Sequence, residues 1–279
     1  MNSLKYVGLI SSFMLAVSVA GCRHDAKAAW ADVAKDCAFS DLNGEKILFF
    51  GPSNSIGPGS IWRQASEAGG GYRVRWESAS VPSGAEWMRN GSEFQCQGNN
   101  ITKFTGAATT TFASDIAPLS AELKAELEKA KSVEVKVAMM KWDTLVEGPF
   151  EQAVLALPAD APLKKDLAKP GRLVMYRALL IRGFEAKLSF DTVVGGDVSA
   201  KIKDGVLQSI NGELGAGLNA RWDSNKNLYL SSPSDFYVAG ELVEFDMDGG
   251  FASGGNSPFS EPVDIKADAD IGLEVRSQQ

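Results

Sequence analysis

Histidine, the residue most often used in acid–base and metal chemistry, is almost absent from this chain of 279 residues. It occurs once, as His24, near the amino terminus. A single histidine excludes a zinc site of the HExxH type and any metal site built on several histidines. Because His24 lies beside an amino-terminal targeting segment, we expect it outside the folded core, which also excludes a histidine-based catalytic triad inside the fold.

Paired carboxylates are the catalytic chemistry that stays open. Two acidic side chains held about 5–10 Å apart can hydrolyse a glycosidic bond, and the chain has 35 acidic residues. The sequence does not show which of them meet, so no catalytic residue is assigned. The acidic stretch Asp246–Asp248 lacks the later ligands of a calcium loop, and we predict neither a metal site nor a cofactor.

Three residues beside loops rich in Gly, Pro and Ser are the candidates for ligand binding: Trp62, Arg63 and Trp87. Flat indole faces stack on sugars and peptides, and Arg63 could hold an anionic group. A tryptophan is more often part of a core, and an arginine part of a surface salt bridge. Trp76 and Trp222 occupy apolar positions of alternating segments and are predicted to lie in the core.

Residues 1–21 have the pattern of a signal peptide. Lys5 supplies a positive charge, and Val7–Ala20 form an apolar run of 14 residues. A membrane-spanning helix needs about 20 apolar residues, whereas the apolar region of a signal peptide has about 7–15. We therefore predict that this segment is removed and does not belong to the fold.

The run ends in Val19-Ala20-Gly21-Cys22, which resembles the lipobox of bacterial lipoproteins. The resemblance covers 22 residues only, and we identify no family for the mature domain. It implies cleavage before Cys22, a diacylglyceryl thioether on the sulfur and an acylated amine, and two or more acyl chains anchor a protein stably. Arg23 follows, not the aspartate associated with inner-membrane retention. The resemblance therefore implies an anchor in the outer membrane, with the body facing the periplasm.

Two cysteines remain in the mature chain, Cys37 and Cys96. In an oxidising periplasm such a pair predicts a disulfide. It would close a loop of about 60 residues and stabilise the fold by about 4 kcal/mol in the chain-entropy treatment. The spacing matches no CxxC redox or zinc motif.

The charge balance restricts the partners. The formal net charge is −7, whereas nucleic-acid binding requires a basic surface. The expected partners are the membrane, through the anchor on Cys22, and an envelope protein or glycan.

The elements that position these residues are mainly strands, and we predict an α+β fold: an antiparallel β-rich body with one or two central helices, after a cleaved lipoprotein signal peptide. The predicted organisation is a signal peptide at 1–21, a tether or helical lead-in at 22–35, a β-rich unit with the disulfide at 36–113, an α+β unit with long antiparallel strands at 114–248, and a tail rich in Gly, Ser and Asp at 249–279.

Alternation and helix-forming composition predict the individual elements. They are strands at Lys46–Phe50, Ser60–Gln64, Tyr72–Ser78, Glu93–Cys96 and Ile101–Phe104, a helix at Ala121–Lys131, a strand from Val133 to Trp142, a helix capped by Asp143 and reaching Leu157, a central strand at Leu173–Ile181, and strands at Asn227–Leu230 and Phe236–Phe245.

Apolar and polar residues alternate over Gly183–Trp222, which permits two interpretations. An antiparallel meander with one face on the core has this pattern. Alternating segments of about ten residues are also what a membrane-inserting hairpin needs. We favour the meander, because a lipoprotein already has a membrane attachment.

Three functional hypotheses follow. The leading one is a non-enzymatic binding or envelope-associated module, anchored on the periplasmic face of the outer membrane. The alternatives are a carboxylate-type hydrolase acting on envelope glycans, and a membrane-perturbing protein that uses the region 183–222.

Overall fold

The structure is a computed structural model that describes residues 26–39, 42, 45–65, 71–78, 87–96, 102–105, 127, 129–192, 200, 219–223, 226–247, 257–265 and 271–273. Four predictions lie wholly or mostly outside these residues. They are the signal peptide, the lipidation of Cys22 with His24 beside it, most of the helix at Ala121–Lys131, and the middle of the alternating region Gly183–Trp222.

Strands dominate the described residues, and three helices accompany them. The helices are α1 (Ala26–Asp36), α2 (Glu147–Leu155) and α3 (Pro162–Leu167). The strands are β1 (Ile47–Ser53), β2 (Ile61–Gln64), β3 (Tyr72–Trp76), β4 (Met88–Asn90), β5 (Phe94–Gln95), β6 (Thr102–Thr105), β7 (Ala130–Lys136), β8 (Met139–Leu145), β9 (Arg172–Arg182), β10 (Glu185–Phe190), β11 (Asn219–Asp223), β12 (Asn227–Ser231), β13 (Phe236–Glu244) and β14 (Ile271–Leu273).

The strands form two sheets. The first has nine strands in the order β1-β13-β9-β2-β3-β14, with β8 paired to β9 and carrying β4 and β5 on its other edge. The second has five strands in the order β11-β12-β10-β7-β6. Every strand pair is antiparallel except β14 with β3. The described part is therefore β-rich and largely antiparallel, in agreement with the predicted fold class.

The predicted central strand is confirmed by β9, an apolar strand with neighbours on both edges. It pairs with β13 along one edge, and with β2 and β8 along the other. Strands from both sides of the predicted boundary at 113/114 lie in this one sheet, since β1 pairs with β13 and β2 with β9.

The two sheets enclose the main hydrophobic core. One face of the five-stranded sheet contributes Val133, Val135, Ala186, Leu188 and Leu230, and all are at least 97% buried. The residues between them on β7 and β10 point away from the core and are partly exposed. Core packing therefore accounts for the alternation in the described part of the region 183–222.

Helix α1 belongs to the folded body. We predicted residues 22–35 as a tether or a helical lead-in, and Ala26–Asp36 form a helix with Trp30, Val33 and Ala34 buried in the main core. The ring of Trp30 lies 6.1 Å from that of Phe184. The prediction of a tether is therefore wrong for this helix, because its apolar residues pack against the five-stranded sheet.

The predicted disulfide joins Cys37, just after α1, to Cys96, just after β5. Both cysteines are more than 90% buried in the main core. The covalent bond therefore ties the end of α1 to the strands that edge the larger sheet.

The predicted strand from Val133 to Trp142 is two strands. The chain leaves the five-stranded sheet after β7 and enters the nine-stranded sheet with β8, turning at Val137 and Ala138. Beside this turn the chain crosses back at Gly183, where φ is +67° and an added Cβ would lie 2.6 Å from the Ala138 Cβ. The move from one sheet to the other therefore divides the segment that the alternation alone predicts as one strand.

The prediction that Asp143 caps the following helix is wrong. Asp143 lies within β8 and is 1% exposed, while Val146 occupies the position before α2 and makes no side-chain cap. The sequence Gly148-Pro149 does not interrupt α2. Pro149 lies in the first turn, where backbone N–H groups have no acceptor within the helix, so the missing N–H of proline costs no hydrogen bond there. The helix ends at Leu155, two residues before the predicted end.

Candidate functional site

The outward face of the five-stranded sheet contains a cavity of about 490 Å³, which we call the outer cavity. Its polar side chains all point away from the core, and the buried residues between them form its floor. The lining consists of Glu134, Val135, Lys136, Glu185, Ala186, Lys187, Asn219, Ala220, Arg221, Tyr229, Leu230 and Ser231.

The strand register places these side chains in rows across the sheet. In one row Arg221 faces Tyr229 and Lys187 faces Glu134, with Tyr229 and Lys187 also opposite each other. In the next row Asn219, Ser231, Glu185 and Lys136 are neighbours in the same way. Cross-strand neighbours of this kind have Cβ atoms about 5 Å apart, so residues far apart in sequence form one surface.

The charged groups of the outer cavity are three cations and two carboxylates. Lys187 lies 3.7 Å from Glu134, and Lys136 lies 3.9 Å from Glu185. Such partly exposed pairs contribute about 0–1 kcal/mol. A ligand can therefore displace them at low cost.

Arg221 is the third cation. Its guanidinium carbon lies 4.8 Å from the centre of the Tyr229 ring, a cation–π arrangement that holds an exposed arginine over a half-buried aromatic face. Within the described ranges no carboxylate lies at ion-pair distance from Arg221. The arrangement presents a positive group, held in place by an aromatic ring, next to amide, hydroxyl and carboxylate groups.

Trp62 and Trp87 lie in the core. Trp62 is 0% exposed, and its indole N–H donates a 2.9 Å hydrogen bond to the Ser60 hydroxyl. Trp87 is 6% exposed and packs edge-on against Phe150 in a separate hydrophobic cluster. The structure does not bring the two indole rings together, and neither ring offers a free face to a ligand.

Arg63, the third candidate, is partly exposed on β2. It pairs across the strands with Arg73 and Arg172, and it does not line the outer cavity. The sequence interpretation gave weight to the Gly-Pro loop before Trp62. The loop instead serves packing: an added Cβ at Gly59 would lie 2.9 Å from the Trp87 ring.

Trp76 is buried, as predicted, and Trp222 is partly buried against the main core. The Trp76 indole N–H also donates a hydrogen bond to the buried carboxylate of Asp166.

Asp166 joins helix α3 to the nine-stranded sheet and is 2% exposed. It accepts hydrogen bonds from Arg172 at 2.9 Å, Lys169 at 3.0 Å and the Trp76 indole at 3.0 Å, and Arg75 lies 3.4 Å away. Burial alone would raise the pKa of this carboxyl. The hydrogen-bond donors outweigh burial and hold its pKa well below the usual range. The group is therefore charged and has a structural role.

Asp143 on β8 is another buried carboxylate. It accepts a 2.9 Å hydrogen bond from the Tyr237 hydroxyl, and the Lys141 ammonium lies 3.2 Å away. Lys141 also donates to Asn90 at 2.9 Å. Burial, followed by the charge of Asp143, raises the pKa of Tyr237 well above its usual value. Tyr237 is therefore a neutral hydrogen-bond donor and not a nucleophile.

Glu241 is also neutralised by a cation. Its carboxylate receives two hydrogen bonds from Arg177, of 2.6 and 2.7 Å, and the Arg177 guanidinium also covers the Trp142 ring. Basic partners thus account for the burial of these three carboxylates, and a fourth, Glu151 on α2, is 2% exposed. In the described part of the chain, no three His, Cys, Asp or Glu side chains come together to hold a metal ion.

The sequence interpretation missed the outer cavity. Its alternation placed Glu185, Lys187 and Arg221 on polar faces, and that assignment is correct. The missing information was that β10 lies between β12 and β7, which are distant in sequence. Only this order brings Arg221, Tyr229 and Glu134 into one cavity.

No protein-family model matches the chain, and no curated protein matches it. Among solved structures it is similar to a bacterial gasdermin from Bradyrhizobium tropiciagri, with a TM-score of 0.42 and 12% sequence identity. The similarity covers 90% of this chain and 98% of the gasdermin chain. A TM-score below 0.5 establishes neither a shared fold nor a shared function. Within the described residues, no helix is long and apolar enough to span a membrane.

Proposed function

We propose that the protein is a lipoprotein anchored through Cys22 on the periplasmic face of the outer membrane, where it acts as a non-enzymatic binding module for an envelope component. The observation that carries the binding function is the outer cavity, a concavity of about 490 Å³ with a mixed polar and apolar lining, on a sheet whose opposite face is buried in the main core. Cavities of this size hold small ligands or the end of a larger one.

The position of α1 supports action close to the membrane. Only three residues, 23–25, separate Cys22 from Ala26, the first residue of α1. An extended chain spans at most about 3.3–3.6 Å per residue, so the lipidated cysteine is within about 15 Å of a helix that packs into the core. In this proposal the body is held at the bilayer surface and does not reach far into the periplasm.

Replacement of Cys22 by Ala tests the anchor. We expect the variant to lose labelling by radioactive palmitate and to move from the outer-membrane fraction to the soluble periplasmic fraction. Its melting temperature after signal-peptide removal should equal that of the lipidated parent in detergent, because Cys22 precedes the packed helix. The measurement is cell fractionation with label incorporation and thermal unfolding.

A matched variant, Arg23→Asp, changes only the residue after the cysteine. It should keep the palmitate label and move to the inner membrane. A Cys22→Ala protein that stays labelled or membrane-bound would contradict the anchor, whereas an unchanged location of Arg23→Asp would contradict the outer-membrane assignment alone.

Membrane perturbation is the second candidate function. What favours it is that the apolar–polar alternation of the sequence runs from Gly183 to Trp222. Alternating segments of about ten residues are what a membrane-inserting hairpin requires.

Dye release from vesicles separates the two candidates. For the lipidated protein mixed with phosphatidylethanolamine–phosphatidylglycerol vesicles, the binding-module proposal predicts release equal to that of a protein-free control. The reason is that the inner face of β10 packs in the core, with Ala186 and Leu188 at least 97% buried. Protein-dependent release would favour the membrane-perturbing function instead.

A further inference from the structure

We propose that the outer cavity binds an anionic saccharide, a sugar ring that carries a carboxylate or a phosphate. The inference rests on the proposed binding function and names its ligand class. Three features carry it: an arginine available for an anion, an aromatic ring that fixes the arginine, and neutral polar groups spaced for sugar hydroxyls.

The charge of the outer cavity favours an anion. The whole chain has a net charge of −7, yet cations outnumber carboxylates in the lining by three to two. Lys136 and Lys187 share their charge with Glu185 and Glu134, whereas Arg221 contacts no carboxylate in the part of the chain that the structure describes. Guanidinium groups bind carboxylates and phosphates through two parallel hydrogen bonds.

Tyr229 acts as a positioning residue for Arg221. The ring is half-buried on the middle strand of three, and it holds the guanidinium 4.8 Å above its centre. The guanidinium has its N–H groups in its own plane, and the exposed position of Arg221 leaves them accessible to a ligand. The contact reduces the conformational freedom that Arg221 loses on binding a ligand.

The remaining lining favours a saccharide over a bare anion. Asn219 and Ser231 are opposite each other at one end of the cavity. Glu185 offers acceptor oxygens beside Ser231, and Glu134 offers them across the sheet, in the row of Lys187. Amides, hydroxyls and carboxylates are the partners that sugar hydroxyls need. A bare phosphate would use Arg221 and leave these groups unused.

Calorimetry on the soluble Cys22→Ala form of the full mature chain tests the inference. The probes are trigalacturonic acid, glucose 1-phosphate, neutral maltotriose, inorganic phosphate and hexaglutamate. We expect one of the two anionic sugars to bind at least tenfold more tightly than maltotriose and inorganic phosphate, and to bind more weakly as salt is added.

Variants assign the binding to the cavity. Arg221→Gln should weaken binding about tenfold or more, because a hydrogen bond to a charged group is lost. Tyr229→Leu should weaken it several-fold, while Tyr229→Phe keeps the ring and should bind like the parent. Lys46→Gln removes an exposed positive charge outside the cavity lining and should bind unchanged.

Four results would overturn the inference: no preference for either anionic sugar over maltotriose, inorganic phosphate bound as tightly as the tighter anionic sugar, hexaglutamate bound as tightly as that sugar, or an Arg221→Gln variant that binds it like the parent. If the parent released reducing ends from one of the oligosaccharides and the Glu134→Gln or Glu185→Gln variant did not, the cavity would be the active site of a carboxylate hydrolase and the non-enzymatic function would be contradicted.

A capture experiment separates failure of the ligand class from failure of the binding function. The lipidated protein and its Arg221→Gln variant are used as baits in detergent-solubilised envelope. Capture that depends on Arg221, without saccharide binding, would overturn the saccharide alone. Absence of both would overturn the proposed binding function as well.

Discussion

The Trp62→Ala variant should lose about 3–5 kcal/mol of its free energy of unfolding, the usual cost of truncating a buried tryptophan. Trp62 is 0% exposed and lies 6.0 Å from the Phe50 ring. Truncation leaves a cavity beside the Phe50 ring and removes the donor to Ser60. Urea unfolding followed by far-UV circular dichroism measures the loss.

Trp222→Ala is the matched control, since it removes the same side chain from the edge strand β11. Trp222 is only partly buried, so the loss of stability should be clearly smaller. If Trp62→Ala left stability unchanged and weakened ligand binding, Trp62 would be a binding residue and its place in the core would be contradicted.

The Asp166→Asn variant should lose about 3 kcal/mol of stability at neutral pH. Removing one member of a buried ionic network leaves its partners without compensation, which costs about 3–5 kcal/mol. We expect a loss at the lower end of this range because Lys169, one of the three cations, is half-exposed and its charge is screened by solvent. Arg75 and Arg172 are nearly buried and account for most of the effect.

The effect of Asp166 should depend on pH in one direction. Its pKa in the folded protein is below the usual value, so its contribution is present above about pH 4 and is lost as pH falls below it toward the folded pKa. The stability difference between the parent and Asp166→Asn should therefore shrink from pH 5 to pH 3. Denaturant titrations at each pH measure it.

Asp191→Asn is the control for the pH series. Asp191 pairs with Lys131 at 2.8 Å, but both side chains are 69% exposed, so the substitution should change stability by no more than about 0.5 kcal/mol. A difference between the parent and Asp166→Asn that stays constant from pH 7 to pH 3 would contradict the charged state of Asp166.

Local sequence patterns predicted the strands well where one face is buried. In β3, Tyr72, Val74 and Trp76 point inward as their alternation requires. The patterns failed where the chain changes sheets, because the sequence of β7 and β8 has the composition of a single continuous strand. That break depends on Gly183 and Ala138, which meet only in the folded chain.

The same limit applies to the site. The sequence identified polar faces on β10 and β11, but the neighbours of a strand are determined by the whole sheet. The tryptophans next to Gly-Pro loops gave a more visible signal, and the structure shows that this signal reflects packing. Asp143 likewise has the spacing of a helix cap, yet its contacts with Tyr237 and Lys141 bury it within a strand.

Amide hydrogen exchange on the mature chain, with and without the tightest-binding anionic sugar, tests most directly whether the outward face of the five-stranded sheet is the binding site. We predict slower exchange in β7, β10, β11 and β12, and unchanged exchange in α2, α3 and β2. Slower exchange around Trp62 or the α2 side, with none in the five-stranded sheet, would place the site elsewhere and contradict the account.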